Sequence, residues 1–170
     1  MGNVPTPTST HDFADLGVPA RLVDALRLQG IESAFPIQVS TLPDSLGGRD
    51  VLGRGRTGSG KTLAFALPLV ARTAAASSRT APKCPRALVL VPTRELATQV
   101  QAVIAPLADV VGLSTMTIFG GVGQRPQVTA LSRGVDIVIA CPGRLEDLMR
   151  QGHVRLDEVA ITVIDEADHM

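Results

Sequence analysis

The chain has 170 residues, enough for one domain with a substantial core, and 45% of them are hydrophobic, with a positive mean hydropathy. Sixteen basic and sixteen acidic residues cancel, which excludes a global basic field of the kind that binds nucleic acid non-specifically and leaves only a local site for such a partner. No Trp or Tyr and only four Phe are present, so a row of base-stacking aromatics is excluded too.

Residues 1–12 (MGNVPTPTSTHD) are rich in Pro, Thr and Ser and read as a disordered tail ahead of a single domain, 13–170. They lack the charged start and apolar core of a signal peptide, and no apolar run approaches ~18 residues, so a cytoplasmic protein without membrane contact is expected. A helical period begins at Phe13 and runs through Leu16, Val18, Leu22, Val23, Leu26 and Leu28 to a stop at Gly30. FPIQVSTLPDSL predicts a second helix, ended by Gly47 and Gly48. DVLGR (50–54) predicts a short strand, and KTLAFALPLVARTAAA (61–76) an apolar helix. The Ser-, Pro- and charge-bearing stretch 77–85 reads as a mobile surface loop.

RALVLVP (86–92) is a continuous apolar run, as a strand covered on both faces requires. A helix follows over 93–111 with Thr93 able to cap it. Residues 114–121, 136–142 and 158–168 give three more strand-like runs, with a helix at 143–152 between the last two. Strands alternating with helices predict an α/β domain with a parallel sheet, whose ligands sit at the carboxyl ends of the strands. Cys84 and Cys141 have no metal spacing and read as unpaired thiols of a reducing compartment.

GRGRTGSGKT (53–62) overlays two phosphate-binding patterns. Gly53, Gly55 and Gly58 spell the dinucleotide fingerprint; Gly55, Gly60, Lys61 and Thr62 spell the P-loop. The first needs a carboxylate at the end of the second strand, where Pro92, Thr93 and Arg94 stand instead. The second needs a strand before, a helix after, and a carboxylate at another strand's end. Backbone N–H groups of Gly58–Thr62 suit phosphates, Lys61 the outer ones, and the Thr62 hydroxyl Mg²⁺. Asp165, after the apolar run AITVI, is placed to hold Mg²⁺ through water, and Glu166 to orient and deprotonate an attacking water. The only Asn is Asn3, so the guanine-reading N-K-x-D motif is absent and adenine is expected.

With these residues in place the chain resembles the first RecA-like domain of DEAD-box ATP-dependent RNA helicases, nearest their bacterial RhlE-like branch. GIESAFPIQ (30–38) resembles the Q motif, GRTGSGKT (55–62) motif I, PTRELA (92–97) motif Ia, GG (120–121) the glycine doublet, CPGR (141–144) motif Ib and DEAD (165–168) motif II. The resemblance implies a RecA-like parallel sheet with helices on both faces and ATP and Mg²⁺ as ligands. It implies a nucleotide site built from Phe13, Ile31, Gln38, Gly55, Arg56, Thr57, Gly58, Ser59, Gly60, Lys61 and Thr62, with Lys61, Asp165 and Glu166 as its chemistry and Thr62 and Asp165 for the metal.

It further implies RNA held by its backbone, without sequence reading, at Pro92, Thr93, Arg94, Gly121, Gly143 and Arg144. Arg94 pairing with Glu95, and Arg144 as a plain helix-start residue, are the competing readings. Two positions depart from the family pattern: Ile31 replaces an aromatic that stacks on adenine, and Cys141 replaces a threonine hydroxyl. Family motif III, the last strands and a second domain with arginine fingers would lie beyond Met170. The 170 residues alone are therefore expected to bind ATP or ADP weakly and hydrolyse negligibly. They are also expected to self-associate through an open sheet edge at 50–54. A different P-loop ATPase, or a catalytically silent adaptor acting through protein contacts, are the rival classes.

Overall fold

Four apolar tetrapeptides carry the sheet: β1 (Ala87–Leu90), β2 (Thr115–Ile118), β3 (Ile137–Ala140) and β4 (Ile161–Ile164). In the computed structural model, which describes residues 11–56, 58–76 and 79–170, they pair parallel in the order β2-β3-β1-β4. The register sets Leu90 between Ala140 and Ile164, so the strands end level and their exit loops share one edge. Six helices connect and cover them: α1 (Ala20–Leu28), α2 (Pro36–Leu46), α3 (Lys61–Ala75), α4 (Arg94–Asp109), α5 (Arg125–Arg133) and α6 (Pro142–Arg150).

Successive strand residues point to opposite faces, and each face has its own core. Ala87, Val89, Ile137 and Ile139 pack with Leu26 of α1, Leu42 of α2, Leu67 of α3 and Ile104 of α4. Leu88, Ile118 and Val138 pack on the other side with Leu131 of α5 and Leu145 and Leu148 of α6. This is the two-faced parallel sheet that the apolar strands predict.

The amino ends of the strands are tied by one largely buried guanidinium. Arg86 donates to Asp136 Oδ1 at 2.9 Å, to Thr80 Oγ1 at 2.9 Å, and to the Thr73 and Ala76 carbonyls at 3.1 and 3.0 Å. The last two are orphan carbonyls of the α3 carboxyl end, where a cation is favoured. Asp136 in turn accepts from the Ser114 N–H and hydroxyl, both at 2.8 Å, and from the Thr80 hydroxyl. Burial pushes the Asp136 carboxyl up, but these donors outweigh it and hold the group below the usual carboxylate range.

Four expectations need correction. DVLGR is no strand: 51–56 are exposed and lie in no ladder, since a strand exists only when a neighbour's backbone pairs with it. The first helix starts at Ala20, not Phe13; residues 13–17 form a turn, with Gly17 at φ +88° and Pro19 as N-cap. Helix α5 is an element the sequence reading lacked. The described part of 77–85 is pinned rather than loose: Lys83 N–H donates to the Leu131 carbonyl at 2.8 Å, and Cys84 is buried. The tail at 1–10, Thr57, and Ser77 and Ser78 lie outside the described residues. Asp12 does not belong to a free tail, because its carboxylate accepts from Ala14 N–H and pairs with Arg27 at 2.9 Å.

Candidate functional site

The glycine loop reaches α3 through Gly60, whose φ of +85° is open to Gly at little cost. A Cβ there would stand 2.5 Å from the Gln38 amide and 2.7 Å from the Phe35 ring. That proximity has a purpose, because Gln38 holds the loop. Its Nε2 donates to the Gly60 carbonyl at 2.9 Å, and its Oε1 accepts the Phe35 N–H at 2.9 Å, completing the N-terminal cap of α2. Gln38 is fully buried. It is therefore a clamp between α2 and the P-loop, and both polar ends of its amide are engaged within the chain. Ser59 turns its hydroxyl inward, buried and without a partner among the described residues. An unpaired buried donor of this kind, one residue before the helix N-cap, fits an anion that would satisfy it.

Lys61 opens α3, followed by Thr62, and Asp165 stands at the carboxyl end of β4. Lys61 and Asp165 line one groove of about 440 Å³, which runs along the outer edge of β4 between α3 and residues 48–53. Burial pushes the Asp165 carboxyl above the usual range, while the charge of Lys61 pulls it back. Asp165 is fixed by its N–H to the Leu90 carbonyl at 3.0 Å, and its Oδ1 accepts the Glu166 N–H at 3.0 Å. Glu166 takes the left-handed conformation, φ 52°, uncommon for a residue with a Cβ. Its carboxylate lies 3.6 Å from His169 Nδ1.

The exit loops of the other strands form a second rim. After β1, the Thr93 hydroxyl accepts the Leu96 N–H at 3.2 Å and caps α4, with half-buried Pro92 before it. Arg94 is exposed, 3.5 Å from Glu95 and 5.8 Å over the Phe119 ring, so the Glu95 pairing and a ring contact both occur. After β2, Gly121 is exposed at φ +77°, and a Cβ there would sit 3.0 Å from Arg94 Nη1. After β3, Gly143 is exposed, and Arg144 donates to the Val122 carbonyl at 3.2 Å. Arg144 is thus a brace between two exit loops, more than a helix-start residue. Cys141 is half-buried, its thiol pushed up by burial and by the charge of Glu95.

The structure therefore brings together Gly55, Ser59, Gly60, Lys61 and Asp165, and separately Arg94, Gly121 and Arg144. It does not bring Phe13 to either rim. Phe13 is 1% exposed and belongs to the core with α1, so its ring is not available to a ligand; the correction follows from its side chain filling the apolar face rather than lining the cradle. Ile31 is half-buried against the same core. Two polar groups escaped the sequence reading, the Arg86–Asp136 tie and the buried Gln127 of α5. Neither sits in a motif, and only their polarity within apolar surroundings could have marked them.

A parallel sheet with a glycine loop opening an apolar helix beside it, and an acidic residue at the exit of its edge strand, defines a P-loop α/β domain. The comparisons narrow this: the family described as DEAD/DEAH box helicase matches residues 35–170. A chloroplastic DEAD-box ATP-dependent RNA helicase 3A of Zea mays is 46% identical over 93% of the chain and 21% of its own length. An ATP-dependent RNA helicase RhlB of Escherichia coli is 40% identical over 97% of the chain and 40% of its own length. In structure, the ADP-bound RNA helicase Prp28 of Chaetomium thermophilum has a TM-score of 0.85 at 35% identity, over 100% of this chain and 41% of that one. The chain belongs to the DEAD/DEAH box helicase family and has its RecA-like fold. It spans well under half the length of these relatives, and the likenesses do not single out the RhlE-like branch.

Proposed function

We propose that this chain is the nucleotide-binding part of an ATP-dependent RNA helicase, with ATP in the P-loop and RNA backbone along the exit loops of β1, β2 and β3. The observation that carries the reading is the convergence of Lys61 and Asp165 on one groove that follows the outer edge of β4 up to its carboxyl end. Backbone N–H groups of Gly58–Thr62 and the Lys61 ammonium would bind the phosphates. Thr62 and Asp165 would hold Mg²⁺, which, when bound, neutralises charge on the phosphate oxygens. Glu166 would orient and deprotonate the attacking water. Each end of the Gln38 amide makes one bond within the chain and keeps a second N–H or lone pair for an adenine edge, so the residue that reads the base would also hold the P-loop at Gly60. Ile31 offers apolar contact to a base but no π-face.

RNA would be held by Arg94 and by backbone donors near Gly121 and Gly143, a grip on phosphate that carries no base specificity. The Thr93 hydroxyl caps α4 through a lone pair, which leaves its O–H to donate to a phosphate oxygen. Because the chain spans 21% to 41% of its relatives' lengths, unwinding is proposed for a longer assembly. The 170 residues alone are expected to bind nucleotide and hydrolyse it near background, since arginine fingers supplied from elsewhere are worth ~10³–10⁵ in related P-loop enzymes. Residues 50–54 are not part of the sheet; among the described residues the open edge is the outer side of β4, where Ile164 is 56% exposed. We propose a second copy of the chain as its occupant in solution.

Calorimetric titration with Mg·ADP tests the nucleotide site. Lys61→Ala is expected to weaken binding at least about tenfold, as the loss of a charged phosphate contact of ~1.5–3 kcal/mol implies. Affinity unchanged by that substitution would refute the P-loop reading. No binding to the wild-type chain at millimolar ADP would favour the adaptor class.

A further inference from the structure

Helix α5 places an amide where its neighbours place hydrocarbon. Its buried residues are Leu131, which packs in the core, and Gln127, which is 7% exposed. A buried amide persists where its hydrogen bonds do something, since leaving one unmade is costly. Gln127 Nε2 donates to the Phe119 carbonyl at 3.1 Å, and its Oε1 has no partner among the described residues. Phe119 is the residue that leads from β2 into the glycine doublet.

The consequence lies in peptide geometry. In a trans peptide the carbonyl and the following N–H point to opposite sides. Holding the Phe119 carbonyl toward α5 therefore turns the Gly120 N–H away from α5. Arg144 does the same one turn of loop later: its bond to the Val122 carbonyl turns the Gly123 N–H away from α6. Gly120 and Gly123 are both exposed, and neither N–H has an acceptor among the described residues. Arg94 Nη1 stands next to the intervening Gly121.

We propose that Gln127 is a positioning residue for RNA binding, setting the Phe119–Gly120 peptide so that its N–H faces a phosphodiester oxygen. This rests on the RNA-backbone reading above and assigns that reading a buried residue outside every recognised motif. Gln127 itself touches no RNA. Its loss leaves the arginines in place and removes one oriented donor.

The test uses the ¹⁵N-labelled 170-residue chain and a fluorescein-labelled oligouridylate at low salt. In the wild type, the oligonucleotide is expected to shift the amide resonances of Gly120 and Gly123. Gln127→Met, unbranched and of similar volume, is expected to weaken the oligonucleotide about fivefold, to remove the Gly120 shift, and to leave Mg·ADP affinity unchanged. Gln127→Glu keeps the shape but presents a carboxylate that cannot donate to Phe119, and should reproduce the loss; it stands in if the Met variant does not fold. Wild-type affinity in both variants, with the Gly120 shift intact, overturns the inference alone. A wild-type chain that binds no oligouridylate overturns the RNA reading and the inference with it. A loss of Mg·ADP binding parallel to that of RNA would show a general structural role and also overturn it.

Discussion

Asp165 carries a cost in the folded chain. It is half-buried at the end of β4, and burial raises its pKa in spite of Lys61. A carboxyl whose folded pKa lies above its unfolded value stabilises the native state only while protonated. The penalty sets in as pH rises past the unfolded value, about 4, is complete above the folded value, and persists at neutrality. Asp165→Asn is thus expected to raise the thermal midpoint at pH 7 while weakening Mg·ADP, with the stability gain shrinking toward pH 4; calorimetric melts at the two pH values check it. A lower midpoint for the variant at pH 7 would contradict this. The meeting of Lys61 and Asp165 in one groove was legible from sequence, because a lysine after a glycine loop and a carboxylate after an apolar strand were both expected at the carboxyl edge of a parallel sheet. Phe13 and Gln38 were not fully legible. A motif shows that a residue belongs to a site, but not whether its side chain faces a ligand or is spent on packing and clamping.

At the scale of elements, α3 is anchored at both ends, by Gln38 on Gly60 before Lys61 and by Arg86 on the carbonyls of Thr73 and Ala76. The far anchor depends on Asp136, which orients Arg86 with 11% and 14% of the two side chains exposed. Asp136→Ala would leave a largely buried guanidinium uncompensated, and a loss of about 3 kcal/mol is expected in urea unfolding at pH 7. The sign with pH is opposite to that of Asp165. The folded pKa of Asp136 is depressed, so its contribution is present above about pH 4 and fades as pH falls further. A difference between wild type and variant that grows toward acid would refute this account. Long periodic helices and continuous apolar strands were readable from sequence. Helix α5 was not: RPQVTALSR is nine residues with few apolar positions, and its signals are Pro126 at the start and Gly134, φ +90°, after the end. The strand expected at 50–54 failed because hydrophobicity alone cannot supply a pairing partner.

For the whole molecule, the order β2-β3-β1-β4 puts the Asp165 end of β4 beside the end of β1, with β3 and β2 beyond it. Alternating strands and helices were enough to predict this layered design and the edge on which both rims lie. Strand order was beyond reach, because it is set by which helix faces pack together. The unpaired flank of β4 makes the oligomeric state testable. Light scattering across micromolar concentrations is expected to show association, reduced by Ile164→Lys; a clean monomer throughout would remove the second copy as occupant.

The Arg86 tie also bears on how the domain comes apart. One side chain joins the far end of α3, the loop at Thr80 and the start of β3, and Arg86 itself exchanges backbone bonds with Asp136 and Ala160 on both neighbouring strands. Elements stitched at one point cannot fray singly, so the sheet's amino edge and the P-loop helix should open as one cooperative unit. In native-state hydrogen exchange the amides of Ala87 and Ile137 would report the free energy of global unfolding. Those of the glycine loop, at the opposite edge, would exchange through far smaller openings, which leaves the ligand-facing rim free to move on a foundation that does not.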